Sequence, residues 1–418
     1  MSGKCSLTTL YLNSLLEGRN LDDLAELLEP DTTTPLSCYL PNTKINDTRC
    51  QRMWRSIGQI PHPDIYDGWT QEKIESFHGN IQNCIGSVKI PLGVAGPLRV
   101  NGLFAKGDYP IPLATSEAAL VASYHRGAHL VSEAGGCTAM LLNQALNRAP
   151  AFVFKSMPDG GRFVAWAIEN FEKFQEIAET TSAYGKLVDI ASTVEGNHVY
   201  LNFEFTTGDA SGQNMVTIAT QHICDFIRET YPLEIEKIYI EGNLSGDKKA
   251  SSQAYTSVRG KKVSAEVRLS AELLKKYLAA TPKQLVDYWR ISAIGGVLSG
   301  TMGIQGHFAN GLAALYLATG QDVACVAESA MGVTRFELTD DGGLYAAVTI
   351  PCIMVGTVGG GTCLPSQKAA LELMGLYGSG NSAALAEVCA SLLLAGELSI
   401  IAALATNTFT RAHHKLAR

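Results

Sequence analysis

The segment Lys186-Leu-Val-Asp-Ile-Ala-Ser-Thr-Val-Glu-Gly-Asn-His-Val-Tyr-Leu-Asn-Phe-Glu-Phe-Thr206 decides the fold. Its second half alternates Val199, Leu201, Phe203 and Phe205 with polar neighbours, the period of a half-buried strand. Glu195-Gly-Asn197 is a hairpin turn, so residues 186–194 form the partner strand. Upstream, 151–155 is a short apolar strand. Residues 158–180 follow it with Phe163, Trp166, Ala167, Phe171 and Phe174 at helical spacing. Downstream, 214–229 places Met215, Ile218, Ala219, Ile223 and Phe226 on one helical face, and 237–241 closes as a strand. The order is β-α-β-β-α-β, the ferredoxin-like arrangement.

The rest of the chain reads differently. Residues 115–134 predict a helix whose Ala118, Ala119 and Ala122 let other elements approach closely, ended by Gly135-Gly136. Helical patterns recur near 271–290, 305–320, 365–377 and 383–412. The expected fold class is therefore α+β: a helix-rich large domain with an inserted ferredoxin-like domain. The expected boundaries are 1–80 for a small helical N-terminal region, 81–149 with 241–418 for the large domain, and 150–240 for the insertion.

Composition bounds the class. In 418 residues, 46% are hydrophobic and 17% charged, enough for a large core and too apolar for disorder. Thirty-three basic against forty acidic side chains leave a net charge of −7, which argues against a general nucleic-acid binder. The ten cysteines form no CxxC pair and no metal-ligand cluster, the pattern of reduced thiols in a cytoplasmic protein with no metal. Segments 291–320 and 342–367 carry no Asp, Glu, Lys or Arg, yet their glycines, prolines, Gln305, His307 and Asn310 speak for burial rather than a membrane span. The apolar helix near 383–405 holds Glu387 and Glu397 and is expected in the core.

Single motifs each have an ordinary explanation. Gly208-Asp-Ala-Ser-Gly-Gln-Asn214 joins a strand to a helix, where free amides suit a pyrophosphate; Asp209 equally suits a cap or a ribose contact. Asp247-Lys-Lys249 has the composition of a solvated loop. Glu117 fits a first helical turn, Asp322 a loop cap, and His413-His414 a basic tail. Three successive glycines in Gly356-Thr-Val-Gly-Gly-Gly-Thr362 cost backbone entropy and suit a place where a ligand or a second backbone must come close.

Together these segments are less ordinary. Asn83-Cys-Ile-Gly-Ser-Val-Lys-Ile-Pro-Leu-Gly-Val-Ala-Gly-Pro-Leu98, Ala114-Thr-Ser-Glu-Ala-Ala-Leu-Val-Ala-Ser123, the 208–214 loop, Asp247-Lys-Lys249, Gly320-Gln-Asp322 and the 356–362 motif follow one another in the order found in 3-hydroxy-3-methylglutaryl-CoA reductases. The chain resembles that family from about residue 50 onward, in its class I form by the Asp-Lys-Lys loop and the short tail. The resemblance implies reduction of the CoA thioester to mevalonate with two NADPH, in a homodimer or dimer of dimers whose sites lie between chains. It implies four catalytic positions: Glu117, Lys248, Asp322 and His413. It places Arg148, Asp247 and Lys249 at the substrate carboxylate, Asn310 in the Lys248 network, and Ser123 and Arg126 along the CoA portion. Asp209, Gly212, Asn214, Ser182, Gly359 and Gly360 match cofactor-binding positions.

These residue types suit the reaction. Hydride addition to a carbonyl makes an oxyanion, and Lys248 supplies the cation to meet it. Glu117 and Asp322 beside the lysine would keep it charged, while their mutual repulsion raises one carboxylate and makes Glu117 the proton source for the aldehyde. A histidine, His413, suits protonation of the departing thiolate near neutral pH. Three departures stand out. Ser211 and Gln213 replace the methionines usual in the cofactor loop. Gln82 replaces a usual glutamate. Ala183 stands where NADPH-using relatives carry an arginine for the 2′-phosphate, which makes NADH the alternative cofactor unless Arg418 or Lys186 substitutes. The rival functions are NAD-linked mevalonate oxidation and a catalytically silent CoA-ester-binding homologue.

Overall fold

The computed structural model describes residues 20–38, 40 and 45–410. The chain divides into two compact units, one of the residues up to Glu75 with Ile81–Ser87, the other of Ser76–Asn80 with everything from Val88 onward. In the first, helices Leu21–Leu28, Asp47–Ser56 and Gly68–Lys73 begin at Asn20, Asn46 and Asp67, each accepting an N–H three residues on. Cys50, Met53, Trp54 and Tyr66 form its buried centre.

The second unit is built on ten strands: β1 (Leu92–Gly102), β2 (Lys106–Ala114), β3 (Cys137–Arg148), β4 (Ala151–Val153), β5 (Lys186–Glu195), β6 (His198–Thr206), β7 (Lys237–Tyr239), β8 (Gly260–Leu269), β9 (Val333–Leu338) and β10 (Leu344–Ile353). The main order is β7-β4-β6-β3-β8-β10-β9; β5 lies on β6, and β1 on β3 and β2. One part has strand order β7-β4-β6-β5, all antiparallel, in a β-α-β-β-α-β succession. That is the ferredoxin-like order. Its first crossover is two helices, Met157–Glu169 and Phe171–Thr181, broken at Asn170, where one continuous helix is expected. Helix Gln213–Thr230 forms the second crossover.

Strand β3 is the seam. Its Thr138–Ala145 stretch pairs with β8, and Leu146–Arg148 with β6. The large body is thus less purely helical than the sequence pattern suggests. Strands β3 and β10 lack strict alternation, because β10 is buried on both faces and β3 changes surroundings along its length.

Helix Ser382–Ala405 forms the core of this unit. Nearly every residue of it is buried, and it packs on helices Leu120–Glu133 and Pro282–Ser299 and on β3, β8 and β10. Its two carboxylates are spent inside. Glu387 accepts N–H bonds from Leu103, Phe104, Ala105 and Leu141, and Glu397 accepts from Gly306, His307 and the Thr334 hydroxyl. This helix alone, among the described residues, is long and apolar enough to cross a membrane, and 83% of its most apolar window is buried within the protein.

Candidate active site

Two glycine contacts lock the motifs together. A Cβ on Gly320 would lie 2.2 Å from the carbonyl oxygen of Gly361, and one on Gly356 2.6 Å from the amide of Ser211. The close approach explains part of the glycine run. Gln321 completes the lock: its side chain accepts from Gly356 N at 2.9 Å and donates to Gly356 O at 3.0 Å. Asp322 therefore leaves helix Phe308–Thr319 in a fixed place, and its Oδ1 caps the following turn at Ala324 N.

Lys248 meets Asp322 there, Nζ to Oδ2 2.8 Å, both side chains about 40% exposed. The bond to Asp322 holds the ammonium above its usual range, against a smaller opposing effect of burial. Lys248 has φ +56°, a conformation that costs a non-glycine residue about 1 kcal/mol or more. The preceding residue is strongly held. Asp247 accepts from Arg148 at 3.1 Å and from Arg259 at 2.5 Å. Burial pushes its carboxyl up, but Arg259 and then Arg148 outweigh that and leave it below the usual carboxylate range. Arg148 also donates to Glu241 at 3.3 Å, and Lys249 bonds back to Asp247 O at 2.9 Å.

Glu117 lies in a different pair. Helix 115–134 of the sequence reading begins only at Leu120, because Thr115 Oγ1 accepts the Glu117 amide and Ala119 turns left-handed. Glu117 thus sits on the turn before the helix, not in its first turn. Its carboxylate accepts from Asn310 Nδ2 at 3.3 and 3.4 Å. Asn310 therefore bonds Glu117 and not Lys248, and no hydrogen bond among the described residues joins the two pairs.

The Glu117–Asn310 pair borders a cavity of about 250 Å³, lined also by Ser123, Arg126, His307 and Phe409. Arg126 donates three bonds to Ser399, and burial lowers its pKa. Ser123 bonds the same hydroxyl at 2.8 Å. Arg126 meets no carboxylate among the described residues, so its charge remains available to an anion. His307, not among the residues expected from sequence, stacks on Tyr124 at 5.0 Å, and its buried Nε2 has no hydrogen-bond partner among the described residues. Its place just before Phe308 and Asn310 was the only available signal.

At the other motifs, Asp209 takes the amides of Gly380 and Ser382 at 2.7 and 3.1 Å, at the start of the long helix; helix Gln213–Thr230, which follows its own loop, begins at Gly212 without a side-chain cap. Burial pushes the Asp209 carboxyl up, and those amides more than offset this. Gly212, at φ +79°, has no room for a Cβ beside Thr207, whereas Gly359 and Gly360 have positive φ and open space where a Cβ would stand. A ligand can approach backbone there. Asn214 is exposed on the first turn after Gly212, and Ser182 Oγ accepts the amides of Tyr184 and Gly185. His413 and Arg418 lie outside the described residues.

The family profile of hydroxymethylglutaryl-coenzyme A reductase matches residues 61–418. The chain belongs to this family. Relatives called 3-hydroxy-3-methylglutaryl-coenzyme A reductase include one from Methanocaldococcus jannaschii, 43% identical over 81% of this chain and 85% of its own length. Another, from Pyrococcus horikoshii, is 44% identical over 81% and 84%. The solved class II reductase of Streptococcus pneumoniae, bound to NADPH in open conformations, superposes with a TM-score of 0.64 at 18% identity. That alignment covers 81% of this chain and 93% of the other, and it shows a shared fold.

Proposed function

We propose that the chain reduces 3-hydroxy-3-methylglutaryl-CoA to mevalonate and free CoA. The observation that carries this reading is the Lys248–Asp322 pair, presented by a strained loop between motifs that the resemblance assigns to substrate and cofactor. When bound, one nicotinamide cofactor would supply a hydride to the thioester carbon and a second cofactor molecule a hydride to the aldehyde carbon. Gly359 and Gly360 offer it open backbone, with Asp209, Gly212, Asn214 and Ser182 on the neighbouring turns. NADPH is our choice; the Streptococcus reductase structure holds it.

The chain's own residues then act as follows. Lys248 meets the oxyanion made at the thioester carbonyl; one well-placed donor of this kind is worth about 3–4 kcal/mol. As the C–S bond breaks, the sulfur departs with its electron pair and takes a proton from His413. Glu117, steadied by Asn310, protonates the alkoxide formed from the aldehyde. Arg148 and Lys249 take the substrate carboxylate, while Ser123 and Arg126 line the CoA arm.

The reading includes a second copy of the chain. Among the described residues no hydrogen bond or ion pair joins Glu117 to Lys248 within one chain, and Ile291, Ile294, Val297 and Leu298 stand 62–83% exposed on one helix, an apolar face suited to a partner. We read each assembly as a soluble homo-oligomer with shared sites at domains 81–149 with 241–418 and 150–240.

The direct test follows nicotinamide absorbance with the CoA substrate, with thiol release measured in parallel. Two cofactors oxidised per thiol, abolished by Lys248→Met, is the expected result. No oxidation of either NADPH or NADH overturns it. For the assembly, mixing inactive Glu117→Gln and Lys248→Met chains should restore part of the activity, and a monomer with full activity overturns the shared site.

A further inference from the structure

Arg259 drew no attention in the sequence, yet it has the densest set of polar contacts near the site. It is 4% exposed. Its Nη2 donates to Asp247 Oδ1 at 2.5 Å and its Nε to Glu328 Oε2 at 2.6 Å. Its Nη1 donates to both the backbone and the side-chain oxygen of Asn147, each at 2.8 Å.

The two carboxylates belong to the two halves of the catalytic pair. Asp247 immediately precedes Lys248. Glu328 lies in the short helix Val326–Ser329, which continues the turn that Asp322 caps. Asn147 stands at the end of β3, the rigid seam of the sheet. Arg259 therefore ties the lysine loop to the aspartate turn and both to the sheet, by a route that does not use the Lys248–Asp322 bond.

Stability alone is a poor account of this arrangement. A buried ionic network rarely stabilises more than apolar packing of the same volume. Glu328 is 1% exposed; burial drives its carboxyl up, Arg259 opposes this, and its Oε1 has no hydrogen-bond partner among the described residues. What the network does supply is a fixed position for Asp247, so that Lys248 keeps its left-handed backbone and its ammonium stays aimed at Asp322.

We propose that Arg259 is a positioning residue for the reaction, bracing Lys248 against Asp322 through Asp247 and Glu328. This rests on the reading of Lys248 as the cation that meets the oxyanion.

The test uses the full-length enzyme with Arg259→Met, Arg259→Lys, Glu328→Gln and Lys248→Met. Arg259→Met is expected to lower kcat about 10–100-fold, the cost of a small misplacement of a reacting group, with KM for the cofactor unchanged within twofold. Lysine keeps the charge but loses the fork, so Arg259→Lys should recover part of the loss. The charged and titratable groups acting on Lys248 are Asp322, Cys325 and Asp247. Loosening its bond to Asp322 should move the alkaline limb of the kcat–pH profile to lower pH. Glu328→Gln keeps volume, and it decides the matter if Arg259→Met does not fold. A folded Glu328→Gln or Arg259→Met enzyme with parental kcat and pH profile overturns the proposal while Lys248→Met remains inactive. An active Lys248→Met enzyme overturns the underlying reading instead.

Discussion

A Cβ added to Gly127 would lie 1.8 Å from the carbonyl oxygen of Ala395. Here helices Leu120–Glu133 and Ser382–Ala405 touch backbone to backbone. Tyr124 fills the adjoining space, against Gly311 and Gly396, neither of which has room for a side chain. The same helix carries Ser123 and Arg126, both bonded to Ser399 across this contact. The helix crossing therefore sets the geometry of the cavity wall.

Gly127→Ala should force the helices apart. An overlap with backbone, not with a movable side chain, puts the cost at about 3 kcal/mol or more. Thermal unfolding should show the loss. Among molecules still folded, KM for the CoA substrate should rise, because Arg126 is carried away from Ser399. An unchanged melting midpoint would refute the close crossing.

The Lys248–Asp322 pair predicts a pH effect. The bond to Asp322 raises the lysine pKa above its ordinary 10.5, so the ammonium persists through neutral and moderately alkaline pH. Its contribution to stability is complete below the ordinary value and lost as pH rises through the raised one. Asp322→Asn removes the main cause of the shift and leaves burial, which acts in the opposite direction. The alkaline limb of kcat should then move to lower pH, alongside a large fall in kcat. A limb that stays in place would mean that Lys248 does not control it.

Glu241 predicts a gain rather than a loss. It shares Arg148 with Asp247, and among the described residues neither its buried Oε1 nor Arg148 Nε has a hydrogen-bond partner. If Arg148 receives the substrate carboxylate, Glu241 repels it. At about 5 Å and an effective dielectric of ~20 the repulsion is about 3 kcal/mol, which side-chain movement reduces. Glu241→Gln should lower KM for the acyl-CoA about tenfold and leave kcat within twofold. A higher KM would mean that Glu241 orients Arg148 instead.

The elements that the sequence revealed are those with a single clear period. The hairpin of β5 and β6 and helix Gln213–Thr230 lie within a residue or two of their predicted bounds: β6 and the helix each bury one face, and the Glu195-Gly-Asn197 turn marks the end of β5, which is itself mostly exposed. Strands β1, β2, β3, β8, β9 and β10 have no counterpart in the sequence reading. In β1 and β2, glycines and prolines mask the pattern, and a bulge shifts the register between Ala95 and Leu98. The site residues found by motif lie in short segments that carry their own chemistry. Arg259 and Glu328 escaped because they are 69 residues apart, and their pairing exists only after β8 and the 322–329 turn have packed. Arg259 also precedes Gly260-Lys-Lys262, which resembles a surface basic run; yet Lys261 is 4% exposed.

Lys261 gives a stability prediction. Its ammonium has one long bond, 3.4 Å to Val355 O, and burial depresses its pKa to about 8 despite the nearby Asp209 carboxylate. Between pH 8 and 10.5 the unfolded chain holds this proton and the native chain does not, so stability from this group rises with pH. Below pH 8 the folded protein carries the full penalty. Lys261→Met should therefore stabilise the protein at pH 7 by about 1–3 kcal/mol, with the advantage fading as pH rises from 8 to 10.5. Denaturant midpoints of both proteins across that range check it; a destabilised variant at pH 7 would show that the amine is held by favourable contacts.

Residue 183 gives a prediction about cofactor choice. Ser182 Oγ folds the 182–185 segment into a turn, and that turn is pressed onto the cofactor-loop helix: a Cβ on Gly185 would lie 2.8 Å from Met215 Sδ. Ala183 is exposed on this turn, and Tyr184 beside it packs over Gly208. An arginine at 183 thus stands next to the Gly208–Asn214 loop without displacing any buried group. Its guanidinium would make charge-assisted bonds to a 2′-phosphate, worth about 1.5–3 kcal/mol. Ala183→Arg should raise the ratio of kcat/KM for NADPH over NADH by about 10–100-fold, chiefly through KM for NADPH. The ratio, measured with the CoA substrate saturating, checks it. If it does not change, the 2′-phosphate does not lie over this turn, and discrimination between the cofactors comes from elsewhere on the loop.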